Sequence, residues 1–121
     1  MIQIFGYNID ISTVGIVAIL AFFVFRFFKF RKVKSNMNEY VGQGAIILDV
    51  RNPEEFSSSC NPKSQNIPLS VLPVRLNELD KTKKIIVCCA SGGRSAMAKN
   101  ILQQNGFNDV INAGPWQNTV C

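Results

Sequence analysis

Not one of the chain's 121 residues is histidine. That absence excludes Ser-His and Cys-His nucleophile pairs, every histidine-containing zinc site and the usual neutral-pH proton shuttle. Charge is sparse as well: 17% of residues are Asp, Glu, Lys or Arg against 47% hydrophobic, which excludes a disordered chain. The four cysteines, Cys60, Cys88, Cys89 and Cys121, show no C-x-x-C spacing. Adjacent Cys88 and Cys89 would point to opposite sides of a strand, so a tetrahedral cysteine zinc site is not expected. Internal repeats and low-complexity tracts are lacking. Chemistry must therefore run on cysteine, carboxylate, lysine, arginine or backbone, with neither metal nor cofactor implied.

The charge that is present is placed unevenly. The net charge of +5 would suit nucleic acid, but much of it lies in "RFFKFRKVK", Arg26 to Lys34, which points to a membrane surface instead. Just before and into that run, "ISTVGIVAILAFFVFRFFKF" (Ile11 to Phe30) is apolar on all sides and, as a helix, would be about 30 Å long, the thickness of a bilayer hydrocarbon core. Arg26 and Lys29 sit near one end, where long side chains snorkel to headgroups. The first ten residues carry only Asp10, whereas a cleaved signal peptide would carry positive charge there. A retained single-span anchor is the expectation, with the short N-terminus outside and, by the positive-inside bias, the downstream end in the cytoplasm. The reading divides the chain into an extracytoplasmic segment (1–10), a span (11–30), a basic linker (31–36) and one soluble domain (37–121). Reduced thiols suit a cytoplasmic domain.

In that domain, short apolar strands alternate with helical segments, the pattern of a parallel α/β sheet flanked by helices. "AIILDV" and "KIIVCC" are continuous apolar runs of the kind a strand buried on both faces requires. "NPEEF" reads as a helix start, with Asn52 as cap, Pro53 in the first turn, and Glu54 and Glu55 at the positive end of the dipole. A short strand is expected around Ile67, then a helical turn or two near Ser70, in which Pro73 must lie in the first turn. "SAMAKNILQQNGF" predicts a helix from Ser95 that buries Ala96, Ile101 and Leu102 and stops at Gly106. "NDVINAG" supplies a last short strand.

The second apolar strand ends in Cys89, followed by Ala90, Ser91, Gly92, Gly93 and Arg94 and then the helix. This puts a thiol at the carboxyl edge of a parallel sheet, where open α/β folds place ligands. Small residues let the backbone curl so that successive N–H groups converge, and the helix adds its positive end. With Cys89 at the centre the thiolate is the bound anion, its pKa should fall below about 8.5, and Arg94 can serve an anionic substrate.

"LDVRNPEEF", "NIPL", "VCCASGGRS", "GF" and "NAGPW", in that order and at those distances, resemble the rhodanese-like sulfurtransferases across Asn36 to Trp116. The resemblance implies that Cys89 is the sulfur-accepting nucleophile, that Ala90, Ser91, Gly92, Gly93, Arg94 and Ser95 form its anion cradle, and that Asp49 is the family's structurally placed aspartate before Val50 and Arg51. It further implies a small anionic sulfur donor such as thiosulfate, and cyanide or a thiol as acceptor. The lipid bilayer is the other expected partner, and self-association through the span is open; nucleic acid is not expected. Two departures stand out. Cys60, in "SCNPKS", occupies a place where the family often has histidine, and the usual "GGW" is Gly114, Pro115, Trp116.

Other readings start from the same residues. Counted from Cys88, five residues precede Arg94 and Ser95, the spacing of cysteine phosphatases and some arsenate reductases; against this, Cys88 reads as a small buried residue facing a helix. Cys60 and Cys121 read as spare cysteines or as resolving thiols for Cys89. Arg51 and Glu54 read as a charge arrangement beneath the loop, and Trp116 as core. A third possibility is a catalytically idle, membrane-tethered binding module of the same fold.

Overall fold

A computed structural model describes residues 2–120. Strands β1 (Ile2–Ile4) and β2 (Tyr7–Ile9) form an antiparallel hairpin. Helix α1 (Ile11–Gly42) follows, capped by Asp10, whose carboxylate accepts the Thr13 N–H at 2.7 Å. The domain then runs β3 (Ile46–Asp49), α2 (Pro53–Ser58), β4 (Gln65–Asn66), two short 3₁₀ segments (Leu69–Val74 and Leu76–Glu78), β5 (Ile85–Cys89), α3 (Gly93–Gln104) and β6 (Val110–Pro115), and closes with a 3₁₀ turn at Trp116–Thr119.

The four domain strands form one parallel sheet in the order β4-β3-β5-β6. All five residues of β5 are buried, as a central strand covered on both faces requires. The period-two alternation then sorts them. Ile85, Val87 and Cys89 face a core completed by Leu48, Val50, Leu72, Ala98, Leu102 and Phe107. Ile86 and Cys88 face the opposite core, with Ile47, Ala113, Val33 and Met37.

Val33 and Met37 belong to α1, and here the structure departs from the sequence reading. The helix does not stop where the apolar run stops: residues 31–36, expected as a linker, are its middle turns. Val33 and Met37 lie four apart, with Tyr40 and Val41 one turn further, so one stripe of the helix packs on the sheet. The first turns differ: large apolar side chains from Ile16 to Phe28 are 53–67% exposed. That part is long and apolar enough to cross a bilayer.

Three local expectations are also corrected. Pro73 sits late in a 3₁₀ segment, not in the first turn of a helix; such a segment has fewer α-type bonds for proline to break. α3 begins at Gly93, two residues early, so Arg94 and Ser95 are in its first turn. Ala98, not the exposed Ala96, joins Leu102 in the core. Gly106 does take the left-handed conformation past the helix end, at φ 88°.

Candidate active site

The parallel sheet delivers Cys89 to its carboxyl edge, and the chain turns sharply there to enter α3. The turn depends on Gly92, whose φ of 109° is unfavourable for a side chain. In that conformation the Gly92 N–H points back at Cys89 Sγ, 2.9 Å away. The backbone N–H groups of Ser91 and Ser95 also favour the charged sulfur, and Ser95 Oγ lies 3.4 Å from it. Burial of Cys89, which is 1% exposed, opposes ionisation. The hydrogen bonds from Ser95, Gly92 and Ser91 outweigh it, and the thiol's pKa falls below the ordinary cysteine value. Of the loop residues, Ser91, Gly92 and Ser95 thus turn their N–H groups to favour the thiolate. Ala90, Ser91 and Gly93 are exposed on the loop's outer side.

Sequence reasoning missed the residue that holds this loop shut. Asn112 on β6 is buried; its Oδ1 accepts from Ser95 Oγ at 2.7 Å and from the Gly114 N–H at 2.9 Å, and its Nδ2 donates to the Gly92 carbonyl at 3.2 Å. A shift in register between β5 and β6, where Asn112 pairs with Val87 but Gly114 with Cys88, turns Asn112 toward the loop. Its polarity in an otherwise apolar strand was the available signal. Ser95 has one hydroxyl proton and two acceptors. When Cys89 is a thiol, its S–H donates to Ser95 Oγ and the hydroxyl donates to Asn112. When Cys89 is a thiolate, the hydroxyl turns to sulfur and Asn112 keeps the Gly114 N–H.

Arg94 is not left free for substrate. Its guanidinium forks onto Glu55, Nη1 to Oε1 at 2.6 Å and Nη2 to Oε2 at 3.0 Å. The Arg94 bond, then the Asn52 N–H, hold the Glu55 carboxyl down at about 2. Glu55 rather than Glu54, which is exposed, thus carries the link from α2 to the loop.

Asp49 and Arg51 lie together at the end of β3. Asp49 is fully buried, and Arg51 covers it through Nε at 3.0 Å to both carboxylate oxygens and Nη2 at 2.8 Å. Arg51 also donates to the Ser59 carbonyl at 2.8 Å and stacks 5.0 Å over Trp116. The pair ties β3 to the turn after α2 and to the C-terminal turn.

The remaining thiols separate cleanly. Cys88 is fully buried on the α1 side of the sheet, where loss of solvent and then the Asp49 charge push its pKa far up. The Cys88-to-Arg94 spacing therefore does not bring that sulfur into the loop. Cys60 is half-buried beside Asn61, which donates to the Thr119 carbonyl at 3.0 Å, and is not among the partners of Cys89. Cys121 lies outside the described residues. Among the described residues no cluster of three or more Cys, Asp or Glu could hold a metal ion.

Residues 31–114 match the Rhodanese-like domain family. The chain belongs to that family. It is 30% identical over 70 residues to a sulfurtransferase of Allochromatium vinosum, covering 58% of this chain and 65% of that protein. It is 35% identical over 68 residues to the thiosulfate sulfurtransferase GlpE of Pseudomonas syringae, covering 56% of this chain and 64% of the relative. The chain thus spans less than two thirds of either relative. Among solved structures, a rhodanese-related protein from Thermoplasma volcanium superposes with a TM-score of 0.63 at 36% identity, over 71% of this chain and 85% of that one. The parallel sheet with flanking helices is the rhodanese fold. The family match starts at Arg31, so the apolar part of α1 precedes it.

Proposed function

We propose that the chain is a membrane-anchored sulfurtransferase that carries sulfane sulfur as a persulfide on Cys89. The observation that carries this reading is the sulfur of Cys89 at the focus of the Ser91, Gly92 and Ser95 N–H groups. Such a cradle favours a thiolate before reaction and a persulfide anion after it. With thiosulfate, the Cys89 thiolate attacks the outer sulfur, the sulfur–sulfur bond breaks, and sulfite leaves with the bonding pair. The persulfide's terminal sulfur then passes to cyanide, giving thiocyanate, or to a thiolate, giving a new persulfide, and Cys89 returns as thiolate. The name of the Pseudomonas relative supports thiosulfate as a donor. The exposed apolar turns of α1, followed by Arg26, Lys29, Arg31, Lys32 and Lys34, support a single span with the domain in the cytoplasm.

The test is incubation of the full chain, in detergent or nanodiscs, with thiosulfate, followed by intact mass. One added sulfur is expected for the wild type and for Cys88→Ser, and none for Cys89→Ser. Addition lost with Cys88→Ser and kept with Cys89→Ser would contradict the reading. No addition at all would leave a binding module with an idle fold.

A further inference from the structure

The end of the apolar part of α1 reaches the loop that holds Cys89. A methyl group added at Gly92 would lie 2.8 Å from Arg26 Nη2 and 3.2 Å from Phe30 Cζ, and one at Gly114 only 2.8 Å from the Phe30 ring. The helix therefore packs against the outer side of the loop, from residues that precede the family's matched region. Between the helix and the loop lies an open cleft of about 870 Å³. One side is apolar, from Phe23, Val24, Phe27 and Phe28; the other carries Ser91 and Gly93 of the loop.

Charge is arranged to match. With Arg94 forked onto Glu55, the guanidinium beside the loop that faces the cleft is that of Arg26. Arg26 stacks on Phe22 and Phe30, at 5.8 and 5.2 Å, and is in none of the ion pairs formed among the described residues. Lys99 on α3 is partly buried, and its pKa is lowered by that burial and then by the positive charge of Lys29 on α1. Lys29 and Lys99 are thus close enough for their charges to repel, an arrangement that an anion relieves.

Resting on the sulfurtransferase reading, we propose that the site takes an amphiphilic sulfur donor, its anionic sulfane end held beside the loop by Arg26 and its apolar body lying along the phenylalanines of α1, reached from the bilayer. A free inorganic anion would use only the loop end of the cleft. A donor with an apolar tail fills both ends, and a guanidinium is suited to its charged head.

Thiosulfonate anions, R–SO₂–S⁻, test this with one head and a variable tail. The Cys89 thiolate attacks the terminal sulfur, the bond from that sulfur to the sulfonyl sulfur breaks, and the sulfinate R–SO₂⁻ leaves with the pair. Persulfide formation is followed for the full chain in zwitterionic nanodiscs with thiosulfate, methanethiosulfonate and octanethiosulfonate. The expected kcat/KM for octane over methane is at least roughly tenfold, from burial of the tail. In Phe23→Ala and Phe27→Ala that ratio should fall by a factor of several in the same lipid, which separates the cleft from simple partitioning. Arg26→Gln should raise KM for every donor by roughly tenfold with kcat little changed, and Arg26→Lys should recover part of it. Octanesulfonate should inhibit the wild type competitively, and octyltrimethylammonium should not; this arm needs no variant. Loading by thiosulfate, with the tail ratio equal in wild type and phenylalanine variants, KM indifferent to Arg26 and both octyl ions equivalent, would overturn the proposal while leaving the sulfurtransferase reading intact. Loading by no donor would overturn both.

Discussion

Cys88 and Cys89 are neighbours on one strand, yet they sit in opposite chemical worlds. The pleat sends Cys88 to the face covered by α1, among Met37, Val33, Ile86 and Ala113, where loss of solvent and the Asp49 charge outweigh the help of Arg51. It sends Cys89 to the other face and to the strand's end, where the chain curls over it and three N–H groups converge. Surface exposure is nearly equal, 0% and 1%, so exposure does not separate them, although Cys88 lies deeper. What separates them is the arrangement of hydrogen-bond donors. A thiol becomes a nucleophile here because of a turn in the backbone, and the turn exists because Gly92 accepts a left-handed conformation and Asn112 holds it.

The comparison can be broken from beneath, from either face, or from its rim. The largest effect should come from Arg51→Ala, which leaves the Asp49 carboxylate buried without its partner; a loss of about 3–5 kcal/mol is expected in equilibrium unfolding. Next, Met37→Ala empties the Cys88 face and should cost about 2–5 kcal/mol. It should leave the titration of Cys89 in place, since no atom of Met37 is among its donors. On the other face, Ser95→Ala removes the hydroxyl that turns to the thiolate; about 1.5 kcal/mol of charge-assisted bonding converts to a loading rate lower by roughly tenfold at neutral pH. Stopped-flow persulfide formation measures it, with the rate recovering as pH rises.

The smallest effect should come from Glu55→Gln. The folded Glu55 carboxyl sits at about 2 against an ordinary 4.5, so its pair with Arg94 stabilises fully above about 4.5 and the contribution is lost as pH falls through about 2. The gap in melting temperature between wild type and Glu55→Gln should therefore be small at neutral pH and close on acidification. A gap that widened in acid would contradict the pairing.

Much of this was legible in the residues. Two continuous apolar runs, a small-residue loop ending one of them, and the Asn52-Pro53 start of α2 each follow from local rules, and all three stand in the structure. The contacts that were not legible join segments far apart in sequence. Glu55 and Arg94 meet across 39 positions, and Ser95 and Asn112 across 17, through a sheet register that no local pattern fixes. The length of α1 was misjudged for a different reason. The basic residues from Arg31 to Lys34 mark the end of the apolar run, but charge does not end a helix, and the Val33–Met37–Tyr40 stripe continued beneath them. Reading that stripe would have placed the helix against the sheet, and its preceding turn against the loop.

The most direct measurement is the ultraviolet absorbance of the thiolate, titrated in the full chain and taken as the difference between wild type and Cys89→Ser, with the difference for Cys88→Ser alongside. Cys89 should ionise with a midpoint below the roughly 8.5 of a free cysteine, while Cys88 stays protonated well above it. A Cys89 midpoint at or above the free value, or a Cys88 thiolate at neutral pH, would contradict the account.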